Sequence, residues 1–138
     1  MSSSPQFDVD LEWRAGSNAT TSRSTAKAEV GVSSGKLLVA AIASSFGTVL
    51  SEMLQATGLP YSVLEVHAHA EGLDARDVCA ETFTTITVSP TIRGGDALRR
   101  RAYEQAATSA RNRCQIGRFI RGTVAYVVGA VCLIGPSE

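Results

Sequence analysis

The chain is poor in what would mark several common classes of protein. Its three cysteines, Cys79, Cys114 and Cys132, are odd in number and widely spaced. That argues against a secreted disulfide framework, and the spacing makes no zinc site. There is no excess of either charge: 13 Lys and Arg balance 13 Asp and Glu. No long-range field therefore draws the chain towards nucleic acid or anionic lipid. The start, Met1 to Gln6, has neither a basic cluster nor an apolar stretch, so it does not read as a signal peptide. The most apolar segment, Leu37 to Leu50, lies between Lys36 and Glu52 and contains Ser44, Ser45, Gly47 and Thr48. A membrane span needs about 20 predominantly apolar residues, so a buried core helix fits better. No internal repeat or low-complexity linker divides the chain. A single cytoplasmic domain over residues 1–138 is expected, with 1–5 a loose tail.

What is present is regular patterning. Phe7, Val9, Leu11 and Trp13 alternate with Asp8, Asp10 and Glu12, the period of a strand with one buried face. A weaker strand is expected from about Thr20 to Val32. Ser33-Ser34-Gly35-Lys36 opens a helix over residues 34–57, closed by Gly58 and then Pro60. From Tyr61 to Gly72 the alternation returns, with Val63, Glu65, His67, His69 and Glu71 on one face and Leu64, Val66, Ala68 and Ala70 on the other. Phe83 to Arg93 is a further strand in which Pro90 implies an edge or a bulge. A second helix is expected over 97–112 with Leu98, Ala102, Ala106 and Ala110 inside, then a β-branched strand from Thr123 to Leu133. This order suggests antiparallel α+β architecture rather than a parallel sheet.

The run Leu37 to Phe46, Leu-Leu-Val-Ala-Ala-Ile-Ala-Ser-Ser-Phe, resembles the central-helix segment of the OsmC/Ohr family of thiol peroxidases. Val49-Leu-Ser-Glu-Met-Leu54, Gly58-Leu59, the strand over 63–71 and Cys114-Gln-Ile-Gly117 before the last strand are similar to that family too. The resemblance spans roughly residues 7–133. It implies an OsmC-like fold, with antiparallel sheets around a long central helix and two chains intertwined as a homodimer. It also implies a site in which a cysteine thiolate attacks an organic hydroperoxide, a second cysteine resolves the sulfenic acid, and an arginine and a glutamate tune the first thiolate.

Matched residue by residue, the peroxidatic position falls on Ser45, the glutamate position on Gly35 and the resolving position on Cys114. Arg14 and Arg23 are the arginines available on the first strands. A serine cannot form a sulfenic acid, so either the site has diverged or Ser45 replaces a cysteine by engineering. The loss of the glutamate as well favours divergence. The implied function is then an apolar pocket at the dimer interface for a small hydrophobic ligand or substrate. Ser45 and Cys114 would line it, with Ile42, Phe46 and Val49 around them, and the role would be binding or non-redox catalysis. The alternatives are a one-cysteine hydroperoxide reductase using Cys114, or a structural protein with a filled pocket. No cofactor, nucleic acid or membrane partner is implied.

Each candidate also has an ordinary reading. Ser45 can simply bond back to a helix carbonyl. Cys114, although near Arg111, Arg113 and Arg118 in sequence, can pack as a small hydrophobe. His67 and His69 are spaced to share a metal but lack a third histidine, so a solvated sheet face is the expected reading. Arg99-Arg100-Arg101 reads as a solvated helix face.

Overall fold

A computed structural model of the chain describes residues 6–15, 23–24, 34–72, 83–114 and 125–135. Its elements are β1 (Gln6–Arg14), β2 (Arg23–Ser24), α1 (Ser34–Ala56), β3 (Val63–Gly72) and β4 (Phe83–Arg93). A 3₁₀ turn (Ala97–Arg99), α2 (Arg100–Arg113), β5 (Ala125–Val128) and β6 (Cys132–Ile134) follow. The six strands form one sheet in the order β2-β1-β3-β4-β5, with β6 also on β4. Of the expected strand over 20–32, only Arg23–Ser24 lies within the described residues.

The alternation in β1 and β3 does what its period requires. The two strands pair antiparallel from Gln6↔Glu71 to Arg14↔Val63. Val9, Leu11, Trp13, Leu64, Val66 and Ala68 are thereby buried on one face. That face is covered by α1, whose Val39, Ile42, Phe46, Leu50 and Leu54 recur every three or four residues and are fully buried. The helix stops where the sequence places a glycine. Gly58 adopts φ +69, its N–H bonds Gln55 O, and the N–H of Leu59 bonds Leu54 O. This is a Schellman ending, with Leu54 and Leu59 both buried beneath it.

One expectation about the sheet needs correcting. The last strand is not antiparallel: β5 and β6 both run parallel to β4. The reason is α2, which crosses over between β4 and β5 and returns the chain to its starting edge. Of the two settings that Pro90 implied, an edge or a bulge, the second is found: Pro90 lies level with a break in its neighbour, between Val88↔Val128 and Thr91↔Cys132, where the β5–β6 segment carries one extra residue.

Leu98, expected inside a helix, is 96% exposed. Residues 97–99 form a 3₁₀ turn, started by the Asp96 carboxylate accepting the Leu98 N–H, and α2 begins only at Arg100. The tighter turn rotates Leu98 out of the stripe. That stripe is Tyr103, Ala106, Ala107 and Ala110. The Tyr103 hydroxyl donates to Pro60 O and accepts from the Asp96 N–H, tying the start of α2 to the turn after α1.

Candidate functional site

Ser45 sits on the side of α1 turned away from the sheet. Ile42, Ala43 and Phe46 are fully buried beside it, whereas Ser45 itself is only half-buried, as are Leu38, Ala41 and Val49. Its hydroxyl has no hydrogen-bond partner among the described residues. A serine nucleophile needs a base within reach, and neither histidine supplies one. His67 and His69 project from the opposite face of β3, with the buried layer of Leu64, Val66, Ala68 and Ala70 between them and α1. A pocket shared by Ser45 and a histidine of the same chain is therefore ruled out by the pleat.

Cys114 is the C-cap of α2 and has no solvent exposure. The positive charge expected to activate it is directed elsewhere. The Arg111 guanidinium donates to Tyr126 O at 2.8 Å and to Asn112 Oδ1 at 3.2 Å, while Arg113 is exposed. Arg118 and Cys79 lie outside the described residues. Cys132 is an exposed strand residue. Met53 and Thr57 of α1 line a common cleft with Ala102 and Ala106 of α2.

The residues expected around the pocket differ in exposure within one chain. Ile42 and Phe46 have no exposure and belong to the core against the sheet; only Val49 reaches the open side. Residues 42, 45, 46 and 49 lie on neighbouring rows of α1, within about 100° of one another, with 42 and 46 towards its buried side and 45 and 49 towards its more open edge. Arg14 is on the outer sheet face, paired with Glu12 at 2.8 Å, away from Ser45. Arg23 lies on β2 opposite Glu12.

The structure places a cleft where the sequence indicated none. It holds about 240 Å³ between the C-terminal end of α1 and the first half of α2. Met53, Leu59, Ala102 and Ala106 form its floor, with Arg99, Gln105 and Ser109 at the rim. The sequence signal was slight: a run of alanines on α2 too small to fill the groove against α1, and an arginine at its start.

The outer face of the sheet carries the histidines in a ladder of acids and bases. His67 Nδ1 is 2.7 Å from Asp10 Oδ1 and its Nε2 is 3.1 Å from Asp8 Oδ1. His69 Nδ1 is 2.7 Å from the same Asp8 oxygen, and its Nε2 is 3.4 Å from Glu71 Oε1. The Asp8 hydrogen bond raises the pKa of His69 above the ordinary imidazole value; burial opposes this, and Glu71 adds to it. Among the described residues, no three His, Cys, Asp or Glu side chains are grouped as a metal would require.

With this geometry in hand, comparison with known proteins places the chain. The model of the OsmC-like protein family matches residues 24–127, and the chain belongs to that family. No curated protein matches its sequence. Solved structures share its fold at low identity. An OsmC-like protein from Mycoplasma pneumoniae is 12% identical, with TM-score 0.64 over 91% of this chain and 95% of that one. A protein described as organic hydroperoxide resistance protein OsmC, from Legionella pneumophila, is 14% identical, with TM-score 0.59 over 79% and 73%. An OsmC-like protein of unknown function from Vibrio cholerae is 14% identical, with TM-score 0.58 over 95% and 99%. The apolar stretch Leu38–Ala56, long enough by composition to cross a membrane, is the core helix of this fold.

Proposed function

We propose that this is a diverged, cytoplasmic OsmC-like homodimer that binds a small hydrophobic molecule on the open face of α1, without cysteine-based peroxide reduction. The observation that carries the reading is Ser45. It stands at the position where the family resemblance calls for the attacking thiolate, half-buried and without a base. A hydroxyl oxygen cannot take the peroxide oxygen as a thiolate sulfur does, so no sulfenic acid forms for Cys114 to resolve. The open face offers Leu38, Ala41 and Val49, apolar side chains suited to an apolar ligand held between two chains. Cys114 is too deeply buried for a peroxide to reach without rearrangement, which speaks against a one-cysteine reductase.

The test is consumption of cumene hydroperoxide with a dithiol reductant, run on the unmodified protein, Ser45→Cys and Cys114→Ser. The unmodified protein is expected to be silent. Turnover that appears in Ser45→Cys would locate the divergence in that one atom, and continued silence would locate it in the whole pocket. Turnover in the unmodified protein that disappears in Cys114→Ser would overturn the reading and make this a one-cysteine peroxidase.

A further inference from the structure

The cleft between the end of α1 and the start of α2 has the makings of a second binding site. Its floor exists because α2 presents two alanines, Ala102 and Ala106, where a longer side chain would close the groove against Met53 and Leu59. Leu59 is fixed from below by the Schellman ending of α1, so the floor has little freedom to collapse. At about 240 Å³ the space falls under the roughly 300–1,000 Å³ typical of drug-sized ligands. The occupant must be short.

The rim determines its chemistry. Among the described residues, Arg99 is the single charged one in the cleft wall, and none that lines it carries a carboxylate. Glu104, the nearest acid on α2, lies with Arg101 and Thr108 on an adjoining open surface that shares Gln105 and Ser109 with the cleft, so its carboxylate has an arginine beside it. Arg99 is exposed, and its guanidinium makes only a long 3.5 Å contact with Gly58 O. Its donors are therefore largely available to a ligand. Gln105 and Ser109 add neutral hydrogen-bonding groups that have no partner among the described residues. An apolar floor, one cation and the neutral polar groups of Thr57, Gln105 and Ser109 match one apolar chain ending in one negative charge. A dianion would leave half its charge unpaired in this wall, and a cation would meet Arg99 unfavourably.

We infer that the α1–α2 cleft binds a short aliphatic carboxylate, its chain lying over Ala102 and Ala106 and its head group held by Arg99. Met53 is two helical turns from Ser45, about 12 Å. The site therefore does not depend on the reading of Ser45, and the peroxide assay and the test below can fail separately.

The test is an NMR titration of the ¹⁵N-labelled full chain with octanoate, with 1-octanol as the neutral probe. Saturable amide shifts are expected in residues 53–59 and 99–109, with octanoate bound more tightly than octanol. Arg99→Gln, at an exposed position, should weaken octanoate roughly tenfold, the low end of the range for a hydrogen bond to a charged group. It should leave octanol unchanged. Ala102→Leu fills the groove and should abolish binding of both probes. Octanoate affinity unaffected by Arg99→Gln would overturn the inference. So would shifts centred on Ser45, or the absence of saturation.

Discussion

At the scale of single residues, the closest approach at any described glycine is that of a tryptophan. Trp13 is 1% exposed on the inner face of β1 and brings the edge of its six-membered ring against Gly47 in the middle of α1. A Cβ added at Gly47 would meet the indole at 2.0 Å, 2.3 Å and 2.4 Å. Helix propensity alone favours alanine over glycine by about 1 kcal/mol. Overpacking a filled core costs about 1–3 kcal/mol, sometimes more, and a contact this short on a fully buried ring falls at the upper end. Gly47→Ala is therefore expected to lower the melting temperature by several degrees, roughly 3–10 °C for a chain of this size. Trp13→Phe in the same background should recover part of the loss, because the two positions share one space. A higher melting temperature in Gly47→Ala would mean that the indole does not rest there in solution. The glycine sits two residues beyond Ser45, so it also governs how closely that stretch of α1 approaches the sheet.

At the scale of elements, β1 and β3 are joined on their outer face by alternating carboxylates and imidazoles. Asp8 and Asp10 come from one strand and His67, His69 and Glu71 from the other, with Thr85, Thr87 and Ser89 of β4 opposite β3 on the far side. The raised pKa of His69 sets the sign of the effect. A folded-state pKa above the unfolded value of about 6.5 gives stabilisation that is complete below that value and lost as pH rises through the folded value. The stability difference between the native protein and Asp8→Asn should thus be larger at pH 5.5 than at pH 8.5. The increment should be about 0.2–1 kcal/mol, as for exposed pairs, and should shrink in 1 M salt. Urea unfolding at the two pH values measures it; an equal difference at both would remove the ladder from any account of stability. These elements also show what was legible in the sequence. The facing of β3 could be read residue by residue because its period is two and its inner side wholly apolar. The parallel setting of β5 could not, since strand direction follows from where α2 delivers the chain, and no local pattern records that. How deeply Ile42 and Phe46 are buried was not legible for a related reason. α1 is apolar on nearly every side over that stretch, so its sequence did not reveal which side met the sheet. Leu98 was misread because a single 3₁₀ turn, set by the Asp96 cap, shifts the phase of the stripe.

At the scale of the whole molecule, the exposed side of α1 raises the question of its partner. Leu38, Ala41, Ser45 and Val49 stay only half-buried within one chain, although α1 covers the sheet on one side and meets α2 on another. A helix of 23 residues, about 35 Å long, leaves apolar surface uncovered at Leu38, Ala41 and Val49. A second copy of the chain covers such a stripe economically, because in a two-fold interface the same residues serve both sides. The same symmetry makes the interface sensitive to change, since every substitution enters it twice. Val49→Glu would place two carboxylates in the contact, each losing hydration without a paired cation. Light scattering after size exclusion is expected to give a dimer for the native chain and a monomer for Val49→Glu, while Leu98→Glu, on the exposed 3₁₀ turn, should leave the dimer intact. A native protein that is monomeric at every concentration would remove the dimer from the proposed function and leave Ser45 on an open helix face. It would leave the α1–α2 cleft unaffected, since every residue of its floor and rim comes from one chain.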